Sequence, residues 1–152
     1  MHLDSVEILL EKGIPYRIIE LSEKAISVKD VIEYSKSRIN PEEICKTIIV
    51  KDKNREKYGI FLRGSDKIDF KKLRKILGKV SIASLEEVKE FTGVEPGSVC
   101  PLTLGTPILM DVRVLSLEKI NFGSGSHLYG IELNTSDLNK IINYQIKDIA
   151  MD

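Results

Sequence analysis

The apolar positions along this chain switch repeatedly between a spacing of three or four residues and a spacing of two. In DSVEILLEK, residues 4–12, Val6, Leu9 and Leu10 share one helical face, with Asp4 or Ser5 as cap and Gly13 as stop. PYRIIEL, 15–21, alternates and predicts a strand. SVKDVIEYSKSRI opens on Ser27 and Asp30 in capping-box spacing and predicts a second helix, broken at Asn40-Pro41. KTIIVKD, 46–52, and YGIFLRG predict two strands joined as a hairpin through the polar tract KNREK. IDFKKLRKILGK predicts a helix capped by Asp69, with Phe70, Leu73 and Leu77 turned inward and Gly78 at its end. VSIAS predicts a short strand. SLEEVKEFTG predicts a helix with Ser84 and Glu87 as capping box and Gly93 as stop. TPILMDVRVL and HLYGIELN predict strands with LEKINFGSGS between them, and SDLNKIINYQ predicts a closing helix. Strands and helices do not alternate strictly. The expected fold is therefore mixed α/β (α+β), a curved, mixed, largely antiparallel sheet surrounded by helices, rather than a doubly wound parallel sheet.

Composition narrows the class. The 152 residues are 42% hydrophobic and 30% charged, which predicts one folded domain over 1–152 and excludes wholesale disorder. No apolar run approaches the ~18 residues that span a bilayer, and MHLDSVEILLEKG lacks the pattern of a signal peptide. Two cysteines, Cys45 and Cys100, make no disulfide framework, so the expected compartment is the reducing cytoplasm. Net charge is zero, but residues 46–79 hold twelve Lys/Arg against four Asp/Glu, a local balance of +8. A neutral chain with one basic third predicts a localised contact with a polyanion, centred on Lys71, Lys72, Arg74 and Lys75.

The candidate chemistry is concentrated in few places. Residues lack zinc-ligand spacing, a nucleophile elbow and a Walker loop, so neither metal nor cofactor is expected. Gly123-Ser124-Gly125 leads into a strand, not a helix, and fails the context of a dinucleotide fingerprint. It reads instead as bare backbone that a ligand can approach, with His127 at its rim. Lys46 opens an apolar strand and, if it points inward, places a cation in a pocket without a metal. The most constrained stretch is FTGVEPGSVCPL. Gly93, Pro96, Gly97 and Pro101 fall within nine positions. Its prolines remove donors and preset φ, and its glycines permit close approach. Such a loop aims its remaining N–H groups at a carbonyl or oxyanion.

KTIIVK, GVEPGSVCP in the pattern GxxxGxVxP, PILMDVRVL, a GxG turn and the ending L-N-x-S-D-L follow one another in an order that resembles the YbaK and prolyl-tRNA synthetase editing-domain family. The resemblance spans nearly the whole chain. It implies a mixed α/β fold with a curved sheet and a cleft, and hydrolysis of mischarged aminoacyl-tRNA without a metal. The family's site lysine maps onto Lys46. The glycine of its GxxxP loop maps onto Gly97 or Gly93, with Pro96 and Val99 beside it. The later turn maps onto Gly123, Ser124 and Gly125. In some subgroups a late histidine lines the pocket, and His127 is the candidate here. The resemblance implies a free-standing editor acting on alanyl- or cysteinyl-tRNA(Pro), partnered by aminoacyl-tRNA and by prolyl-tRNA synthetase. Two other classes fit the same residues: a non-catalytic module that binds tRNA or an aminoacyl-like metabolite, and a small-ester hydrolase indifferent to RNA.

Overall fold

The computed structural model describes residues 2–152. Four helices follow their caps. Helix α1 is Asp4–Lys12, stopped by Gly13 at φ 66° with its N–H on the carbonyls of Leu9 and Leu10. Its N-cap is Leu3, without a side-chain bond, rather than Asp4 or Ser5. Ser5 is buried, and its hydroxyl donates to Ser124 O at 2.7 Å, which docks the helix on a strand. Helix α2, Val28–Tyr34, is capped by Ser27, which accepts from Asp30 N. The Asp30 carboxylate accepts in turn from Ile26 N at 3.0 Å. Helix α3, Phe70–Leu77, is capped by Asp69 and buries Leu73. Helix α4, Leu85–Thr92, has the full Ser84/Glu87 capping box and ends at Gly93, φ 76°.

The strands are β1 (Arg17–Glu20), β2 (Cys45–Asp52), β3 (Lys57–Arg63), β4 (Val80–Ile82), β5 (Ile108–Asp111), β6 (Lys119–Ser126), β7 (Tyr129–Asn134) and β8 (Gln145–Lys147). They form two sheets, antiparallel β1-β7-β6 and mixed β4-β2-β3-β5-β8. In the second, β4-β2-β3 is antiparallel and β3-β5-β8 parallel. The mixed α/β reading therefore holds, with the strands divided between two sheets. A parallel bridge from Ile44 to Asn121 joins them. Between them lies a core in which Phe61 and Phe122 meet edge to face, centroids 6.0 Å apart. Cys45 and Cys100 are free and buried. Desolvation pushes their thiols up to about 12 and about 11, so they behave as small hydrophobes.

Four elements differ from the sequence pattern. The second helix stops at Tyr34, where Ser35 is already extended, well before the expected break at Asn40-Pro41. The strand expected through TPILMDVRVL stops at Asp111, whose fully buried carboxylate accepts from Arg113 N, Ile149 N and Ala150 N. Those bonds turn the chain into a 3-10 segment, Val112–Ser116. LEKINFGSGS is not a connection: most of it is β6, paired with β7 from Lys119↔Asn134 onward, with an irregularity between Gly123 and Ser126. SDLNKIINYQ is not a helix. It makes a 3-10 segment, Thr135–Lys140, then delivers Gln145–Lys147 to the sheet edge beside β5. Leu138, Ile141, Ile142 and Tyr144 all pack on the core, which outweighs local helix propensity. Among the described residues, no helix is long and apolar enough to cross a membrane.

Candidate functional site

Strand β2 changes neighbours along its length, and the change opens a cavity. Its far end, Val50–Asp52, pairs with β4. Just before its start, Ile44 bridges to Asn121 on β6. The intervening edge, Cys45–Ile49, faces a cavity of about 440 Å³ instead of another strand. The opposite walls are the Pro96–Val99 loop and the Asn121–Gly123 part of β6, and the segment Ala25–Val28 closes over them. Most of the lining is aliphatic. Among the described residues, no carboxylate lines it, and Lys46 is its one lysine or arginine.

Lys46 is half-buried and spends one of its three donors on Gly64 O, at 3.1 Å. Burial lowers its pKa from the ordinary 10.5; nearby Asp66 opposes the shift, and Lys67 adds to it. Asp66 is itself held by Arg63 at 2.8 Å. The ammonium thus sits beside an apolar cavity with no carboxylate of its own.

The constrained loop owes its glycine to close approach. A Cβ on Gly97 would lie 2.5 Å from the backbone of Ile26. On Gly123, a Cβ would lie 2.8 Å from Val99 O. Three backbones can therefore converge only because these two positions carry no side chain. Gly93, in contrast, lies off the cavity and serves as the left-handed stop of α4, with open space around it. The cavity brings together Lys46, Pro96, Gly97, Val99, Gly123 and His127. His127 sits in the β6–β7 turn, its Nδ1 3.4 Å from Ala25 O, while its own carbonyl accepts from Ala25 N. Ser124 and Gly125 lie outside the lining. Ser124 is buried and donates to Tyr129 O, and Gly125 takes φ 99° at the irregularity in β6.

Residues 24–141 match the aminoacyl-tRNA editing domain. The chain belongs to that family. A relative of known identity is the proline–tRNA ligase of Thermodesulfovibrio yellowstonii, 31% identical over 121 residues, covering 76% of this chain and 20% of the ligase. The chain thus spans about a fifth of the length of the curated relatives it matches. Two crystal structures share the fold. "Hypothetical protein APE2540" superposes with a TM-score of 0.86 at 24% identity, covering 97% of this chain and 100% of that one. A "putative trans-editing enzyme for prolyl tRNA synthetase" superposes with 0.82 at 19% identity, each chain covered in full.

In this editing domain the four basic residues of α3 do not line the cavity. Lys71, Arg74 and Lys75 are exposed on that helix. Lys72 departs from the expectation of a free cation. Its side chain is 20% exposed, and its ammonium donates to Ala150 O at 2.8 Å, Asp148 at 3.0 Å and Asp152 at 3.1 Å. It fastens the C-terminus rather than presenting charge to solvent.

Sequence reasoning missed two contributors to the site of the editing domain. One is the Ala25–Val28 segment, of which only Ser27 and Val28 were read, as a helix start, because nothing local shows that it crosses Gly97. The other is Asn121, 2% exposed, whose Nδ2 has no hydrogen-bond partner among the described residues. A lone amide inside the apolar run KINF was the available signal.

Proposed function

We propose that this chain hydrolyses the ester of mischarged aminoacyl-tRNA as a free-standing editor, with a small aminoacyl group, alanyl or cysteinyl on tRNA(Pro), in the cavity. The observation that carries this reading is the convergence of Lys46 and the Gly97 loop on one aliphatic hollow. The full-length likeness to a structure described as a trans-editing enzyme supports action in trans. Prolyl-tRNA synthetase is then the natural partner and the cytoplasm the place of action. Such an editor answers a physical limit: a pocket that sorts by size separates one methylene by only ~1–3 kcal/mol, so a second site is needed to remove the smaller product.

The terminal aminoacyl-adenosine enters beside the β2 edge. Lys46, with donors to spare, holds the terminal phosphate and the ester; an ordinary lysine is protonated at neutral pH and serves as a cation rather than a base. The Gly97 backbone orients the carbonyl. Water adds to the carbonyl carbon as the neighbouring ribose hydroxyl takes the water's proton and passes its own proton to the ester oxygen. The carbon–oxygen bond to the ribose then breaks, and the ribose oxygen leaves as a hydroxyl carrying that proton. The products are the free amino acid and the uncharged tRNA. A cysteinyl substrate offers its own thiol as an alternative nucleophile.

Lys46→Ala tests the assignment. Deacylation of charged tRNA should be abolished while thermal unfolding stays cooperative and no earlier than in the parent, since a cation lacking a carboxylate is removed from a half-buried site. Retained turnover would remove Lys46 from the mechanism. A parent protein that binds charged tRNA but cleaves none of a panel of esters would be a binding module, and cleavage of small esters without salt dependence would mark an RNA-indifferent hydrolase.

A further inference from the structure

The Lys46 side chain is a flexible four-carbon stem, and something must hold its ammonium at one point. That hold comes from the turn at residues 63–66, which leaves β3 on the way to α3. The ammonium donates to Gly64 O at 3.1 Å. The turn around this carbonyl is closed twice. Asp66 N donates to Arg63 O at 3.0 Å, the first-to-fourth bond of a β-turn. The Arg63 guanidinium also forks onto the Asp66 carboxylate, Nε 2.8 Å from one oxygen and Nη2 3.2 Å from the other. The Asp66 side chain is only 13% exposed. Gly64 is fixed from a third direction: its N–H donates to Ile44 O at 2.7 Å, just before β2. A Cβ at 64 would lie 3.0 Å from both Ile44 O and Val28 Cγ2, so the bare α-carbon lets the strand entry and the cavity cover approach each other.

The same segment sets the charge around Lys46. Asp66 favours the ammonium and its neighbour Lys67 disfavours it, while burial works against the charged form. The other titratable groups lining the cavity are Cys45 on β2, His127 in the β6–β7 turn and Tyr129 on β7, and none of them is a carboxylate. The Cys45 thiol, pushed up to about 12 by burial, is neutral. Lys46 pairs across to Leu62 on β3, which carries no charge. Among the described residues, Asp66 is therefore the carboxylate placed to keep this half-buried lysine charged.

Resting on the role proposed above for Lys46, we infer that Asp66 is its positioning residue: it closes the turn whose Gly64 carbonyl holds the ammonium, and it supplies the negative charge that keeps the ammonium protonated beside an apolar cavity. Removing that charge acts in one direction. It takes away the favourable partner and leaves the Arg63 guanidinium unopposed, so both changes make Lys46 easier to deprotonate.

The test follows the Lys46 Cε resonance by NMR in protein carrying 13C-labelled lysine, assigned by its absence from Lys46→Ala, through an alkaline titration. Asp66→Asn keeps the turn's N–H and an oxygen for Arg63 but removes the charge. Lys46 should then lose its proton at lower pH than in the parent, and Asp66→Glu should return the titration toward the parent's. Lys67→Gln, which changes only an exposed side chain, should move it to higher pH. Single-turnover deacylation of alanyl-tRNA, corrected for spontaneous hydrolysis, should follow the same order, declining with rising pH earliest in Asp66→Asn. A Lys46 titration in Asp66→Asn that matches the parent's overturns the inference. An unmoved titration in Lys67→Gln overturns its electrostatic half even where the Asp66 variants fail to fold. Shifted titrations in a protein that cleaves no aminoacyl ester would uphold the hold of Asp66 on Lys46 and remove the editing reading instead.

Discussion

Adding a single methyl at Gly97 probes both the packing and the site. In Gly97→Ala the new Cβ would lie 2.5 Å from the C, Cα and O atoms of Ile26, where ordinary contact begins at 3.4 Å. The neighbour is backbone, so it cannot turn a side chain aside. It must retreat by about 1 Å, against optimal carbon separations of ~3.5–4.0 Å. Overpacking of this kind costs ~1–3 kcal/mol. Unfolding entropy of ~2.1 cal/mol/K per residue amounts to about 0.3 kcal/mol/K for a chain of this length, so Tm should fall by roughly 3–9 °C. The retreating segment, Ala25–Val28, is the cover of the cavity, so KM for charged tRNA should rise as well. Gly93→Ala supplies the contrast. Its Cβ meets nothing within 4 Å, but φ is +76°, so its penalty is the ~1–2 kcal/mol of left-handed backbone. Calorimetry and deacylation kinetics on the two variants separate contact from conformation. A Gly97→Ala protein that melts and edits like the parent would refute the claim that this glycine exists for close approach.

Asp111→Ala should cost about 3–5 kcal/mol, read as a lower urea midpoint at unchanged m-value, because Arg113 and the buried N–H groups of Ile149 and Ala150 lose their shared acceptor. The Lys51 ammonium and the Ser84 cap bonds hold Glu87 at a pKa of about 2, below the ordinary 4.5. Its contribution to stability is therefore present above pH 4.5 and is lost as pH falls toward 2, and Lys51→Met should shrink that acid-sensitive component in pH-dependent melts. Reversing charge at Arg74 and Lys75 should raise KM for charged tRNA and reduce the slope of log affinity against log salt by up to ~0.7–0.9 per lost phosphate contact. Lys72→Glu should instead lower Tm by releasing Asp148 and Asp152, and unchanged salt dependence in the α3 reversals would move the RNA contact elsewhere.

Local physical chemistry was enough to place much of this molecule from its residues. The Ser84/Glu87 box, the Asp69 cap and the glycine stops at 13 and 93 satisfy backbone groups within a few positions, so they act the same way in any context. The β2–β3 hairpin follows from alternation and a polar turn, and the ordered motifs sufficed to place the chain beside the editing domains. Tertiary contacts decided the rest. Whether TPILMDVRVL continued past Asp111 depended on amides nearly forty residues away. Whether Lys72 was a free cation depended on carboxylates at the C-terminus. SDLNKIINYQ yielded its helical pattern to a core that wanted more of its surface than one helical face could bury. The cavity itself is a property of no segment: it exists because β2 meets β4 at one end and β6 at the other, leaving the strand edge between them open. Periodicity along a chain records which side of an element is apolar, but only the packed elements determine which gaps between them remain unfilled, and in this protein the proposed chemistry lies in such a gap.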